Sequence, residues 1–169
     1  AKERKLISKI GVSLYNESDI HQVIKSNHKP EVIQLPLNIL GTRLYKRKVL
    51  SRLFDEEIEI HVRSVFNQGL FYLSETNLKK HFIDAIPCLN KLKLIASKAE
   101  LTLSELSLLW LVNLKEVSKV VLGLESANHL NIHLNTVKKK VDPCVFRDAL
   151  KLDYNNEKIL NPSLWPSAS

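Results

Sequence analysis

Four short apolar segments, each followed by a stretch in which apolar residues recur at helical spacing, dominate the sequence. The predicted strands span residues 6–12, 31–35, 58–62 and 119–122. Strands that alternate with helices form a parallel sheet with right-handed crossovers. Each strand is a continuous apolar run rather than an alternating one, so we expect both faces of the sheet to be covered. The order of elements predicts an α/β fold with four parallel strands and flanking helices.

Local signals place the helices between the strands. Asn16 precedes acidic residues and predicts a helix start, because a side-chain oxygen can cap a helix and acidic groups suit its first turn. Thr102 and Glu105 form a capping-box pattern that opens a helix over 103–114, and the apolar residues on all its sides predict burial. Further helices are predicted around 45–54, over 78–99 with a bend or break at Pro87, from Ser126 to about 140, and over 145–152.

Length and composition predict one globular domain spanning residues 1–169. Of the 169 residues, 44% are hydrophobic and 25% charged, a balance typical of a packed protein. The apolar runs are shorter than the roughly 20 residues that a membrane span needs. We expect residues 142–169 to form a tail that packs on the domain through Trp165. The chain contains no Met, so either the initiator was removed or the sequence is a piece of a longer protein.

Cysteines and charge bear on compartment and partners. Cys88 and Cys144 are isolated in the sequence, which favours free thiols and a cytoplasmic location over a disulfide. The net charge of +7 comes from short, scattered clusters without interleaved aromatics. We therefore favour solvated helix faces over a nucleic-acid-binding surface. The positive charge also suits a phosphate-rich ligand.

The strand ends carry the functional signal, since ligands of parallel α/β proteins bind beyond the carboxyl ends of the strands. The sequence has no phosphate loop, nucleophile elbow or zinc-finger spacing. Four motifs occur instead: Ile-Gly-Val-Ser at 10–13, Val-Ile-Gln-Leu-Pro-Leu-Asn at 32–38, Val-Arg-Ser-Val-Phe-Asn-Gln-Gly-Leu at 62–70, and Val-Leu-Gly at 121–123. In order and spacing they resemble the aldo-keto reductases from residue 10 to about 134.

This resemblance implies the C-terminal half of a (β/α)₈ TIM barrel, with the fifth to eighth strand units. Segments 59–66 and 161–165 look more narrowly like aldo-keto reductases found among bacterial surface-polysaccharide genes. The implied function is the cofactor-binding half of an NAD(P)H-dependent reductase of aldehydes or ketones. The implied cofactor is NADP, with NAD as the alternative.

By resemblance, ten residues form a cradle for the nicotinamide cofactor. The Ser13 hydroxyl and Gln34 amide match groups that hold the carboxamide, which needs both a donor and an acceptor. Arg63 stands where the family often has an aromatic ring stacked on the nicotinamide. Four residues match the pyrophosphate loop and three match the adenosine end; these are Ser64, Phe66, Gln68, Gly69, Gly123, His129 and His133.

Several positions depart from the family pattern. Leu14, His129 and Ile132-His133 replace commonly polar or charged family residues, which weakens the assignment of the adenosine end most. No Asp in the chain is followed by a Tyr five residues later. The chain therefore carries no copy of the family's Asp, Tyr, Lys and His tetrad, and we assign no catalytic residue.

Other interpretations of single residues stay open. Ser13 and Gln34 could simply end strands, and Arg63 could pair with a carboxylate such as Glu125 rather than stack on the cofactor. His129 and His133 have metal-compatible spacing, but no third ligand is evident, and we assign no metal site. Tyr15 suits either a substrate pocket or packing, whereas Trp110 lies in an apolar helix and is expected in the core.

Three functions from different classes follow. The first is the cofactor half of a carbonyl reductase, the second a non-catalytic nucleotide-binding or interaction module, and the third, least favoured, a basic nucleic-acid-binding domain. Half a barrel leaves two unpaired strand edges and an uncovered interior that we expect to be apolar. We therefore predict that the chain pairs with an N-terminal half-barrel or with itself.

Overall fold

A single parallel sheet organises the protein, for which a computed structural model describes residues 1–165. The strands are β1 (Gly11–Ser13), β2 (Val32–Pro36), β3 (Glu59–Arg63) and β4 (Lys119–Val120), and they lie in the order β1-β2-β3-β4. All three pairings are parallel. The predicted fold class is confirmed: four parallel strands in one open sheet, flanked by helices.

The register aligns the strand ends. Ser13 pairs with Gln34, Gln34 with His61, and His61 with Lys119, so these four residues form one row across the sheet. Pro36 pairs with Arg63 two rows closer to the carboxyl ends. The loops that follow the strands consequently emerge along one rim.

The first strand is shorter than predicted. Residues 6–10 were expected in it, but the strand begins at Gly11. The preceding segment is a turn in which the Lys5 amide donates to the Lys2 carbonyl oxygen, and Leu6 is 73% exposed. An apolar run becomes a strand only where a neighbouring strand and a covering layer meet it.

Nine helices and three 3₁₀ turns accompany the strands within residues 1–165. The helices are α1 (Glu17–Lys25), α2 (Arg43–Lys46), α3 (Val49–Asp55), α4 (Glu75–His81), α5 (Ile86–Lys98), α6 (Leu103–Val112), α7 (Ala127–Thr136), α8 (Pro143–Leu150) and α9 (Glu157–Leu160), and the 3₁₀ turns are Leu70–Tyr72, Ile83–Ala85 and Pro162–Leu164.

One segment predicted as a single helix is divided, and the break predicted at Pro87 lies a few residues earlier in the chain. Residues 45–54 split into α2 and α3 at Lys48, which has a left-handed φ of 57°. The stretch 78–99 splits into α4 and α5, and Pro87 lies in the first turn of α5 rather than inside a continuous helix. Proline suits a first helical turn because its missing N–H would have no partner there.

Helix α6 is the centre of the core, as its sequence predicted. Its capping box forms: Thr102 accepts from the Glu105 amide at 3.2 Å, and Glu105 accepts from the Thr102 amide at 2.8 Å. Seven of its residues are buried. Among them is Trp110, which contacts Tyr45 edge to face at 5.5 Å between ring centroids.

The two faces of the sheet differ. Ile33, Leu35, Ile60 and Val62 are fully buried on one face. The alternate residues of β2 and β3 are only half-buried and include charged and polar groups. Two predictions are therefore wrong, that both faces of the sheet are covered and that the face left open in a half-barrel is apolar, because burial alternates along β2 and β3.

An ionic cluster occupies the half-buried face. Glu59 contacts Lys9, lies 2.8 Å from the His61 ring nitrogen and 3.4 Å from the Lys119 ammonium group. These contacts, with the Lys9 hydrogen bond the largest effect, lower the pKa of Glu59 from 4.5 to about 2. The uncovered face of the sheet therefore presents ion pairs rather than an apolar surface.

The C-terminal segment packs against the domain. Trp165 donates from Nε1 to the Ile159 carbonyl oxygen at 3.0 Å, and its ring meets Phe82 edge to face at 4.6 Å. Residues 166–169 of the predicted tail lie outside the described residues. Every helix within residues 1–165 is too short or too polar to cross a membrane.

Candidate functional site

A cleft of about 1020 Å³ lies between the loop after β3 and the segment formed by the loop after β4 and helix α7. Residues from α6 complete its wall. Seven of the ten residues predicted for the cofactor cradle line this cleft: Ser64, Phe66, Gln68, Gly69, Gly123, His129 and His133. The structure therefore brings two distant stretches of the sequence to one site.

The loop after β3 has an unusual backbone. Ser64, Asn67 and Gln68 have φ values of 59°, 45° and 48°, and Gly69 follows at 88°. Left-handed conformations are unfavourable for residues with a Cβ and persist only where the surroundings impose them. Clusters of such residues occur at binding and catalytic sites, which supports a functional role for this loop.

Three buried side chains hold the loop from behind. Asn38 donates to the Ser64 carbonyl oxygen at 3.1 Å, Ser107 donates to the Val65 carbonyl oxygen at 2.8 Å, and Asn67 donates to the Ile159 carbonyl oxygen at 3.1 Å. None of the three was predicted as a site residue. The sequence offered one signal for Ser107: it is a serine inside the apolar helix α6, and a buried hydroxyl needs a hydrogen-bond partner.

The loop after β4 leaves open space beside the start of α7. A Cβ placed on Gly123 would meet no atom within 4 Å. Ser126 caps α7 by accepting from the His129 amide at 3.2 Å. The other amides of the first turn lack helical partners, and the helix dipole adds partial positive charge, so this end of α7 favours an anion.

Aromatic groups form the floor of the cleft. Phe66 stacks on the His133 ring at 5.1 Å with an interplanar angle of 23°, and Tyr72 meets Phe66 edge to face at 5.5 Å. Burial, together with repulsion from His129, lowers the pKa of His133. The neutral imidazole, which is a flat and uncharged ring, is thereby favoured over the cation.

Within the described residues, no Lys or Arg lines the cleft, whereas Glu105 and Glu125 do. Lys139 offsets the first of these carboxylates at 2.6 Å. Burial raises the pKa of Glu105, but the hydrogen bonds from Lys139 and Thr102 outweigh that effect, and the net pKa is lowered. Any anion bound here would therefore rely mainly on backbone amides and histidines.

The other three predicted residues lie outside the cleft lining. Ser13 and Gln34 are register partners on β1 and β2. The guanidinium carbon of Arg63 lies 4.1 Å above the centre of the Tyr15 ring. Within residues 1–165, Arg63 forms no ion pair with Glu125, so that interpretation of Arg63 is wrong.

The metal interpretation of His129 and His133 gains no support from their surroundings. In the part of the chain that the structure describes, no group of three His, Cys, Asp or Glu side chains converges. Both cysteines are free and half-buried.

An open parallel sheet with a cleft at the carboxyl ends of its strands defines the class of α/β fold. Comparison with known protein families identifies the family. Residues 2–151 match the Aldo/keto reductase family. The chain belongs to this family. The narrower resemblance to enzymes of polysaccharide genes stays a prediction. No curated protein matches the sequence.

Solved structures of aldo-keto reductases share the fold. The aldo-keto reductase AKR11C1 from Bacillus halodurans, in its holo form, is 18% identical and superposes with a TM-score of 0.71 over 89% of this chain and 51% of its own. The thermostable aldo-keto reductase Tm1743, in complex with the inhibitor epalrestat, is 19% identical, with a TM-score of 0.65 over 88% of this chain and 49% of its own. The chain thus spans about half the length of these structures.

Proposed function

We propose that the chain is the cofactor-binding half of an NAD(P)H-dependent aldo-keto reductase. One observation carries this proposal: seven residues that the family resemblance assigned to the cofactor line a single cleft at the carboxyl rim of the sheet. They come from two stretches, residues 64–69 and 123–133, separated by more than fifty residues. Sequence order alone does not bring them together.

The chemistry of the cleft fits a dinucleotide. Its volume of about 1020 Å³ exceeds what a small metabolite needs. Gly123 leaves room for a ligand to approach the backbone, and the first turn of α7 offers amides to a phosphate. The stacked Phe66 and His133 rings present flat surfaces suited to a nucleobase.

Two of the three remaining predicted residues extend the site along the rim. Ser13 and Gln34 supply a hydroxyl and an amide on adjacent strands, the donors and acceptors that the carboxamide of a nicotinamide ring requires. The bound cofactor would supply a hydride to a carbonyl carbon. The chain's own residues would bind and orient the cofactor, and we assign none of them to proton transfer.

The choice between NADP and NAD depends on the histidines. The resemblance favours NADP, whose additional phosphate needs positive charge, with NAD as the alternative. Because no Lys or Arg lines the cleft among the described residues, His129 and His133 are the only lining side chains that could become cationic. The lowered pKa of His133 means that this charge develops only in acid.

The open sheet has two unpaired edge strands that a partner could cover. Strands β1 and β4 are the edges of the sheet, and unpaired edges favour pairing with another chain. Leu130 and Leu134 on α7 and Val137 directly after it recur at helical spacing, and each is more than 40% exposed. We propose that an N-terminal half-barrel, or a second copy of the chain, covers these edges, and that a small carbonyl compound is reduced only in the completed barrel.

Calorimetric titration of NADPH into the purified chain tests the cofactor proposal. We expect saturable one-to-one binding that weakens in Gln34→Ala and in Gly123→Val, because valine fills the open space beside α7. Gln22→Ala, an exposed amide on α1, is the matched control. Circular dichroism confirms that each variant stays folded. Absence of saturable binding, or equal affinity in all variants, would refute the proposed function.

A further inference from the structure

Arg63 occupies a special position as the last residue of β3. It belongs to the half-buried face of the sheet and pairs with Pro36 in the row nearest the carboxyl ends. It precedes Ser64, the first cleft residue after β3, but does not itself line the cleft. The side chain therefore lies on the rim beside the cavity proposed for the nucleotide.

The Arg63 guanidinium is held by its face rather than by its edge. Its central carbon lies 4.1 Å from the Tyr15 ring centre, a distance typical of stacking on an aromatic face. Its Nη1 donates to the Ser64 hydroxyl at 3.3 Å. Stacking leaves the in-plane N–H groups of a guanidinium available. Apart from the one that binds Ser64, the N–H groups of the Arg63 guanidinium have no hydrogen-bond partner among the residues that the structure describes.

No carboxylate neutralises Arg63 within residues 1–165. Arg43, Arg47 and Arg52 each form ion pairs. Arg4 and Arg147 form none there but are exposed to solvent, whereas Arg63 is half-buried. A guanidinium that lies on an aromatic face without a carboxylate partner keeps its positive charge and its in-plane N–H groups available to an anion.

We propose that Arg63 and Tyr15 form an anion subsite that binds the carboxylate of a carbonyl compound, such as a 2-oxo acid. This inference rests on the proposed function, since it places the acidic group of the substrate beside the cofactor. The planar fork of arginine matches the two oxygens of a carboxylate. Tyr15 fixes the plane of that fork and supplies one wall of the subsite.

Titration of pyruvate into the chain without cofactor, followed by NMR of the arginine Nε–Hε signals, tests this inference. We expect the Arg63 signal to shift saturably with pyruvate and not with acetone, which has a methyl group in place of the carboxylate. Arg63→Gln should weaken pyruvate binding by about 10- to 100-fold, the loss expected for a charge-assisted pair of hydrogen bonds. Arg63→Lys should recover only part of it, because an ammonium group lacks the fork.

Control titrations separate the sources of an anion. Arg147→Gln, which removes an exposed and unpaired guanidinium, should leave pyruvate binding unchanged. Equal binding of acetone, unchanged binding in Arg63→Gln, or a response to inorganic phosphate but not to pyruvate would each overturn the carboxylate assignment. NADPH binding is measured separately in the same variants. Its failure, with Arg63-dependent pyruvate binding intact, would refute only the cofactor proposal.

Discussion

Replacing Ser107 with alanine tests whether buried hydrogen bonds hold the cleft loop in place. The fully buried Ser107 hydroxyl donates to the Val65 carbonyl oxygen at 2.8 Å and accepts from the Ile39 amide at 3.3 Å. Alanine leaves both backbone groups without this partner, in residues that are 2% exposed. A buried group that loses its partner costs about 1–3 kcal/mol, so we expect the free energy of unfolding to fall by about 2–4 kcal/mol.

Urea unfolding followed by far-UV circular dichroism measures this loss. Ser97→Ala is the matched control, because the exposed Ser97 hydroxyl donates to the Leu94 carbonyl oxygen at 3.0 Å and water can replace it. That variant should change the free energy of unfolding by less than about 0.5 kcal/mol. Ser107→Ala should also weaken NADPH binding, since the loop it supports lines the cleft. Equal stability of the two variants would refute the reasoning.

Further predictions concern the backbone, two ionisable groups and assembly. Gly69→Ala should lower the free energy of unfolding by about 1 kcal/mol because its φ is 88°, whereas Gly123→Ala, which has no such strain, should not; urea midpoints decide. Glu59 has a lowered pKa of about 2, so its stabilising effect is present above about pH 4.5 and lost as pH falls toward 2; Glu59→Gln should remove this pH dependence from unfolding curves. The preference for NADPH over NADH should rise as the pH falls below the ordinary histidine pKa, because the pKa of His133 is lowered and its ring gains charge only in acid; His133→Phe should abolish that rise in paired titrations. Light scattering should show a dimer or larger species rather than a 19.3 kDa monomer.

Local signals in the sequence predicted elements that depend on neighbouring residues alone. The capping box at Thr102 and Glu105 formed as predicted, and Ser126 caps α7. Both features require only residues three apart on one helix. Alternation of strands and helices was sufficient to predict the parallel sheet, although β4 is only two residues long.

Features that depend on tertiary packing were predicted less well. The polar face of the sheet was missed because apolar content alone does not show that residues such as Gln34 and His61 all point the same way; the observed register shows it. The prediction that the first strand begins at Leu6 was wrong for a related reason. Leu6 is apolar, but it is exposed and no layer of the protein covers it.

The candidate site was predicted in part. The resemblance named residues on both walls of the cleft, but not the side chains that hold the loop after β3. Asn38 and Asn67 contact backbone groups 26 and 92 residues away in sequence. Contacts of that separation leave no local pattern.

Backbone amide NMR of the isotopically labelled chain during NADPH titration tests the central claim most directly. The account predicts that shift changes concentrate at Ser64, Gln68, Gly69, Gly123 and His129, all of which line the cleft. Changes concentrated instead at the surface groove that contains Lys25 and Arg52, between α1 and α3, would indicate phosphate binding at exposed cations away from the cleft. That result, or no shift change at saturating NADPH, would contradict the assignment of this chain as the cofactor-binding half.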